Sequence, residues 1–395
     1  MPPSVVAAAT FVVLWIATTP DSSHQPGARD LTIYRRWGEA IAHGAAPYRD
    51  VPIDYPPGAV PFFVAPALGS TERSYLWIFS LTMLLCGLAL IAIVPRLGVA
   101  VGLTRPQNLA ALAVIALLPA VLAPVLQARY DLWPTLLLAS SVLAAALLRH
   151  RLAALLLGFA IVAKGFPVVA APLLLTWAWR TRGRREAAIA GALLLGSIAA
   201  VATAFAVVGG PAVVHPFKDQ WARPLQVESS GAAFLIALHH LRGWTATVRG
   251  SYGSDNLINS RADVIATLSV LLELATLAYV WLRFARKRSP ETGQLIAACG
   301  AATAAFVALG KVLSPQFVVW LAPFAIAATA RRRAILGCYA AVLVLTHLIY
   351  PGRYQPLIDS LALTPSLLVI ARDLLLIALT ILFVLSIDRL YSPRR

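Results

Sequence analysis

The 395-residue chain is 59% hydrophobic and only 13% charged, with a mean hydropathy of +0.76. A soluble domain carries about 25% charged residues, so the composition excludes a water-covered globule and specifies an all-α polytopic membrane protein. The net charge of +16 invites a nucleic-acid partner, and the placement of the charges decides against one.

Apolar stretches near the roughly 20 residues that cross a bilayer recur along the chain. The predicted spans are 4–20, 75–95, 107–127, 132–148, 152–163, 166–179, 187–209, 264–282, 293–310, 316–330, 334–350 and 364–387, about twelve transmembrane helices. The first has no charged leader and no small-residue cleavage site, and is read as a span, not a removed signal. Basic clusters fall between alternate spans: Arg96 and Arg105; Arg149 and Arg151; Arg180, Arg182, Arg184 and Arg185; Arg283, Arg286, Lys287 and Arg288; Arg331 to Arg333; and Arg389, Arg394 and Arg395. They hold 18 basic residues against three acids, whereas the rest of the chain carries 15 against 14. The positive-inside rule then places all six clusters and both termini in the cytoplasm. Basicity thus orients the chain in the cytoplasmic membrane, and no nucleic acid is expected. Cys86, Cys299 and Cys338 all lie in apolar runs, with neither a disulfide framework nor zinc-ligand spacing. The expectation is a single integral-membrane domain over 1–395 with two long external loops, 21–70 and 211–263.

The first loop contains ARDLTIYRRWGEAIAHGAAPYRDVPIDYPPGAVPF, a dense polar island in a greasy chain. Residues 31–43 read as an amphipathic helix, with Leu31, Tyr34, Trp37, Gly38 and Ile41 on one face and Arg35, Arg36 and Glu39 largely on another. Asp30 falls at the N-cap position and Gly44 just past the end. As a cap, Asp30 is worth about 1 kcal/mol; as a carboxylate at the membrane interface it is also a candidate general base. The stretch 57–68 carries prolines at 57, 61 and 66, and the alternation of charge holds only if it does not cross. It therefore reads as a re-entrant or interfacial piece, tolerated where protein or a watery cavity covers it.

Few cations lie outside the six clusters. Lys164 and Lys311 stand at the external ends of spans; snorkelling to the interface competes with a functional role, the default for charges at membrane depth. Arg129 sits two residues from Asp131, as a structural ion pair or a ligand for an anion. Arg223 beside Trp221 is either a solvated loop charge or a phosphate contact. His347 near the end of its span is a packing residue or a site residue, and Glu273 lies mid-span. In the second loop, 232–241 reads as an interfacial amphipathic helix, followed by a mobile Gly/Ser/Asn-rich run, GWTATVRGSYGSDNLINS. Trp37, Tyr48, Tyr55, Trp221, Trp244 and Trp320 fall at predicted membrane edges, where an aromatic belt and sugar stacking are both open.

An Asp ahead of an external amphipathic helix, followed by GAAPYRDVPIDYPPG, resembles the GT-C superfamily of integral-membrane glycosyltransferases. Lys164 in LLLGFAIVAKGFPVVAAPLLL, and KVLSPQFVVWLAP from Lys311 to Pro323, look like the segments of the mannosyltransferases that use polyprenyl-phosphate mannose. That group includes actinobacterial enzymes acting on phosphatidylinositol mannosides. Where it often shows a G-Q-x-N-type sequence, this chain reads LQARYDLWP with Arg129 and Asp131. The resemblance implies a GT-C-type arrangement with a catalytic first external loop and Asp30 as the base. It also implies donor-phosphate contacts from Lys164, Lys311, Arg129 and Arg223, and substrate contacts from Tyr34, Tyr55, Asp54, Gln316 and His347.

The chemistry suits these residue types. One carboxylate suffices to deprotonate an acceptor hydroxyl in a direct, inverting displacement, and fixed cations stabilise the departing lipid phosphate. No Walker A sequence, no G-x-G-x-x-G after a strand and no soluble nucleotide-sugar domain is present, so the activated sugar is expected from the membrane side. The expected partners are a polyprenyl-phosphate sugar donor, a lipid-linked or glycan acceptor, and membrane lipids. No cofactor or metal is called for, although Asp30, Asp50 and Asp54 leave a divalent cation open. The competing readings are an arabinofuranosyl or other pentosyl transferase with a decaprenyl-phosphate donor, and a lipid or sugar transporter or flippase. A transporter typically shows internal repeats, and none is evident.

Overall fold

The computed structural model describes residues 1–19, 28–69, 71–329 and 331–389. Residues 21–27 and 70 of the first loop, and Arg394 and Arg395 of the last basic cluster, lie outside the described residues. The chain divides into two compact units, Met1–Trp221 and Ala222–Arg395.

The first unit comprises α1 (Pro3–Ala17), α2 (Ala28–Ala42), a 3-10 turn Pro57–Ala59 leading into α3 (Val60–Ala67), α4 (Glu72–Ala100), α5 (Arg105–Ala116), α6 (Leu118–Ala128), α7 (Leu132–Ala146), α8 (His150–Ala163), α9 (Ala171–Arg182), α10 (Arg184–Gly209) and α11 (His215–Ala222). Helix α8 packs on α7 and α10, α7 also packs on α4, and α2 lies along α3. The predicted face of α2 is the buried one, with Leu31, Tyr34, Trp37 and Gly38 inside. Its approach to α3 demands Gly38, because a Cβ there would stand 2.0 Å from the Phe63 carbonyl oxygen. The stretch expected not to cross forms the 3-10 turn and the eight-residue α3, too short for the roughly 20 residues a bilayer requires.

The second unit comprises α12 (Ser230–Arg242), β1 (Thr247–Ser251), β2 (Ser254–Ile258), α13 (Ala262–Ala285), α14 (Thr292–Leu309), a 3-10 stretch Pro315–Leu321 leading into α15 (Ala322–Ala327), α16 (Arg332–Ile349), α17 (Tyr354–Ser360) and α18 (Leu363–Ser386). Helix α14 is the innermost, with 78% of its apolar window buried, and packs on α13 and α18. The run expected to be mobile is instead the β1–β2 hairpin, antiparallel with Thr247 opposite Ile258. Its two-residue turn, Tyr252–Gly253, has φ of 50° and 68°, both left-handed, as the tight turn that matches strand twist requires. Val227 N–H donates to the Asp255 carbonyl at 3.0 Å and Leu257 N–H to that of Leu225 at 2.9 Å. The preceding segment thus lies along the hairpin like a third strand. Leu225, Val227, Leu257, Ile236 and Val369 share one apolar core beneath it.

Each of the twelve predicted apolar stretches is largely helical. Among the described residues, six helices are individually long and apolar enough to cross a membrane, and α5 with α6, bent by 47°, makes up to seven. The break falls at Leu117, just ahead of Pro119, and a second kink inside α6 leaves Leu122 out of helical conformation ahead of Pro124. The apolar windows of α10 and α13 are only 11% and 17% buried, so their side chains face outward. Exposed apolar surface on that scale is stable only against lipid, and the protein is a polytopic helical membrane protein.

The expected aromatic belt divides. Trp37, Tyr48 and Trp320 are buried within the protein, not presented at a lipid-facing edge. Trp221 is 77% exposed.

Candidate functional site

The predicted site residues gather in two places, one in each unit. In the first, Asp30 lies within the opening turn of α2, not at its N-cap. Its carboxylate is ion-paired with Arg129, in the short connection between α6 and α7, and both side chains are less than one-fifth exposed. The next residues in that connection complete the cluster. Tyr130 is fully buried, and its hydroxyl donates to the Ala163 carbonyl at 3.3 Å. Asp131 opens α7 and accepts from Lys164 Nζ at 2.7 Å. Arg129 therefore pairs across to α2, and Asp131 pairs with Lys164 where α8 ends. Lys164 also stands over the Tyr130 and Tyr55 rings, 4.8 and 5.8 Å from their centroids, an attractive arrangement for an ammonium.

An aromatic wall backs the cluster. Tyr34 stacks on Phe63 at 4.4 Å, and Tyr55 meets Tyr130 edge-on at 5.2 Å. The Tyr34 hydroxyl donates to the Tyr55 hydroxyl at 3.1 Å. Burial, first of all, and the neighbouring Tyr55 and Tyr130 push the Tyr34 phenol up, so it stays neutral. Tyr55 is set by the PPG turn, where Gly58 is required because a Cβ would lie 2.7 Å from the Val162 carbonyl oxygen at the end of α8. Asp50 holds the loop: it accepts from Arg49 Nε at 3.0 Å and from Ala46 N–H at 2.9 Å, and Arg49 above all draws its carboxyl down to about 2. Asp54 is exposed. Among the described residues, no three His, Cys, Asp or Glu side chains group as metal ligands.

In the second unit, Lys311 follows the end of α14, just as Lys164 ends α8; each is followed by a proline-containing 3-10 segment and then a short helix. The Lys311 ammonium is drawn below its ordinary range by burial and then by the nearby charge of Arg223. Lys311 and Arg223 thus lie near enough in the second unit for each to feel the other's charge. Arg223 also stands against the hairpin turn, with a guanidinium nitrogen 4.0 Å from where a Gly253 Cβ would sit. The Lys311 carbonyl accepts from Gln226 N–H at 3.0 Å, and Leu313 N–H donates to the Gln226 side chain at 2.7 Å. Gln316 is buried in the 3-10 segment and His347 is exposed near the end of α16.

The sequence reading passed over one cluster. Arg372, fully buried in α18, donates to Asp373 Oδ1 at 2.9 Å, to Glu228 Oε1 at 2.9 Å and to the Glu228 carbonyl at 2.6 Å. Its signal was present: an adjacent Arg and Asp in the middle of a 24-residue apolar helix, where isolated charge is expensive.

Residues 54–315 match glycosyltransferase family 87. The chain belongs to that family. No curated protein matches it. The family 87 match makes the protein a membrane glycosyltransferase and favours the enzyme over the transporter. Its window takes in Tyr55, Arg129, Asp131, Lys164, Arg223 and Lys311, and leaves Asp30, Gln316, His347 and Arg372 outside.

Proposed function

We propose that this family 87 enzyme transfers mannose from a polyprenyl-phosphate donor to a glycolipid or polysaccharide acceptor on the outer face of the cytoplasmic membrane. The observation that carries this reading is the Asp30–Arg129 pair beside Asp131–Lys164, a carboxylate and its cations assembled against an aromatic wall where α2 meets the α6–α7 connection and the end of α8. Asp30 takes the proton of the acceptor hydroxyl as its oxygen attacks the anomeric carbon. The bond from that carbon to the phosphate oxygen breaks on the opposite face, and the electron pair leaves with the lipid phosphate, inverting the centre. Lys311 and Arg223, a like-charged pair, are assigned to the phosphate. Arg129 and Lys164 arrive partnered by carboxylates, so they set the charge around the base. Tyr55, Asp54, Gln316 and His347 are assigned to sugar and acceptor contact, and Tyr34 to the wall behind them. No metal is assigned a step.

The absence of any nucleotide-binding motif supports a lipid-linked donor, and the resemblance of the Lys311 segment supports mannose over a pentose. Membranes containing the protein are expected to move label from polyprenyl-phosphate mannose to an acceptor lipid. Asp30→Asn, expressed at the same level, is expected to lose at least 100-fold in rate, the scale of general-base catalysis. Full activity in Asp30→Asn removes the base assignment; transfer from decaprenyl-phosphate arabinose alone replaces the sugar.

A further inference from the structure

The reading of Lys311 and Arg223 as phosphate ligands leaves a question that unit two answers: what holds two cations near one another before the anion arrives. Neither belongs to a long helix at that point; both sit on connections that would relax apart under their own repulsion. The connections are tied through residues 225–230. Gln226 bonds the Lys311 carbonyl with its N–H and the Leu313 N–H with its side chain, and Val227 bonds the hairpin. Ser230 donates to the Ala308 carbonyl at 2.6 Å, near the end of α14. One charged group then fixes this segment to the bundle. Arg372 grips Glu228 through both its carboxylate and its carbonyl, so side chain and backbone are held together.

We infer that Arg372 is a positioning residue for donor phosphate: by clamping Glu228 it fixes the segment that sets the spacing of Lys311 and Arg223. A buried ion cluster is a poor device for stability alone, because apolar residues of the same volume commonly do as well. What it supplies is direction. A guanidinium has a planar fork that specifies the orientation of its partner, and here the fork reads a side chain and a main-chain oxygen of one residue. Asp373, bonded to Nε, fixes the rotation of the guanidinium itself. Tyr354 donates to Asp255 Oδ2 at 2.8 Å and closes the far side of the same hairpin. The inference rests on the phosphate role proposed for Lys311 and Arg223 and adds the residue through which that role is set.

The test is the affinity of the full-length protein, in phosphatidylcholine nanodiscs, for undecaprenyl phosphate, together with donor KM and kcat in the transfer assay. Lys311→Ala and Arg223→Ala are each expected to weaken binding about 10-fold. Arg372→Lys, which keeps the charge and loses the fork, and Glu228→Gln, which keeps the shape and loses the charge, are expected to weaken it several-fold. In both, KM rises while kcat stays within twofold. Leu376→Ala, which cuts a buried apolar side chain from the same helix, is expected to lower the melting temperature without moving the affinity. The double variant Lys311→Ala/Arg372→Lys is expected to bind no more weakly than Lys311→Ala. Wild-type affinity in both Arg372→Lys and Glu228→Gln, or losses that multiply in the double variant, overturns the positioning role. Wild-type affinity in Lys311→Ala and Arg223→Ala overturns the phosphate reading itself, and the inference with it.

Discussion

Asp131 and Lys164 are 3% and 12% exposed at the side chain and pair at 2.7 Å. Their pairing offsets the cost of taking each charge out of water. Removing one partner from such a pair leaves a buried uncompensated charge and costs about 3–5 kcal/mol. Lys164→Met is therefore expected to destabilise the protein by that order, and Asp131→Leu/Lys164→Met to recover most of the loss, as read by thermal unfolding in detergent; equal destabilisation in both removes the pairing argument. Lys311 makes a prediction of the opposite kind. Only its ammonium form binds phosphate, so donor affinity is present below its pKa and is lost as pH rises through it. Burial and then Arg223 draw that pKa below the ordinary lysine value of about 10.4. The alkaline fall in affinity is expected to begin at lower pH than an ordinary lysine gives, and Lys311→Arg to move it upward. An unchanged profile in Lys311→Arg shows that another group titrates. At this scale the sequence disclosed which residue types matter but not their partners across the fold. Asp30, Arg129, Asp131 and Lys164 stood out as charges in apolar surroundings. That Arg129 reaches α2 depends on packing between elements about a hundred residues apart, which spacing along the chain does not encode. Arg372 and Asp373 were overlooked for a simpler reason: their span was read for its average hydropathy, and two charges barely move an average over 24 residues.

Helix α2 was legible because its period is strong. Leu31, Tyr34 and Trp37 recur at three-residue steps, and they are the residues the fold buries. The re-entrant piece was legible because prolines at 57, 61 and 66 leave too few helical residues to cross. The hairpin was not. Its glycines, serines and asparagine are the composition of a loop, and the deciding detail is a two-residue turn flanked by TVRGS and SDNLI, whose strands bury Leu257 and Asn256 against residues 225–227. The contact between α2 and α3 offers the sharpest test at this scale. A methyl group at position 38 meets the Phe63 carbonyl oxygen at 2.0 Å and the Ala67 Cβ at 3.0 Å, neither of which belongs to a flexible side chain. Gly38→Ala must push the two helices apart, at a cost typical of overpacking, about 1–3 kcal/mol. Because Tyr34 and Phe63 stack across this contact, the wall behind Asp30 moves with it. Transferase activity is expected to fall more than 10-fold, with unfolding shifted to lower temperature. Wild-type activity in Gly38→Ala detaches the α2–α3 contact from the site.

For the molecule as a whole, the governing fact is where apolar surface is exposed. Leu195 at 67%, Val207 at 81%, and Leu271 and Leu272 at 56% and 55% stand on helices that water would not tolerate bare, whereas α14 is buried nearly throughout. Composition foresaw the membrane. It did not foresee how many helices reach the length to cross, because α1, α7 and α8, at 15, 15 and 14 residues, are apolar over most of their length yet end early. Two of those ends, at Asp131 and Lys164, carry the candidate site, so a break that weakens the count of spans is also the place where charge gathers. Orientation is the remaining step, and the charge distribution argues it. Helix α13 runs 24 residues, about 36 Å at 1.5 Å per residue, which is enough to cross the roughly 30 Å hydrocarbon core. At one end stands the hairpin with Ser251; at the other, Arg283, Arg286 and Lys287 cluster around Asp388. By the positive-inside rule the cluster is expected in the cytoplasm and hence the hairpin on the outer face. In a variant with Cys86, Cys299 and Cys338 replaced, a single cysteine at Ser251 is expected to react with an impermeant maleimide from outside intact cells. One at Lys287 is expected to react only after the membrane is opened. Labelling of both from the same side contradicts a crossing by α13, and a reversed pattern inverts the topology and places the hairpin, with Lys311 and Arg223 beside it, in the cytoplasm, where a lipid-linked donor presented outside does not reach.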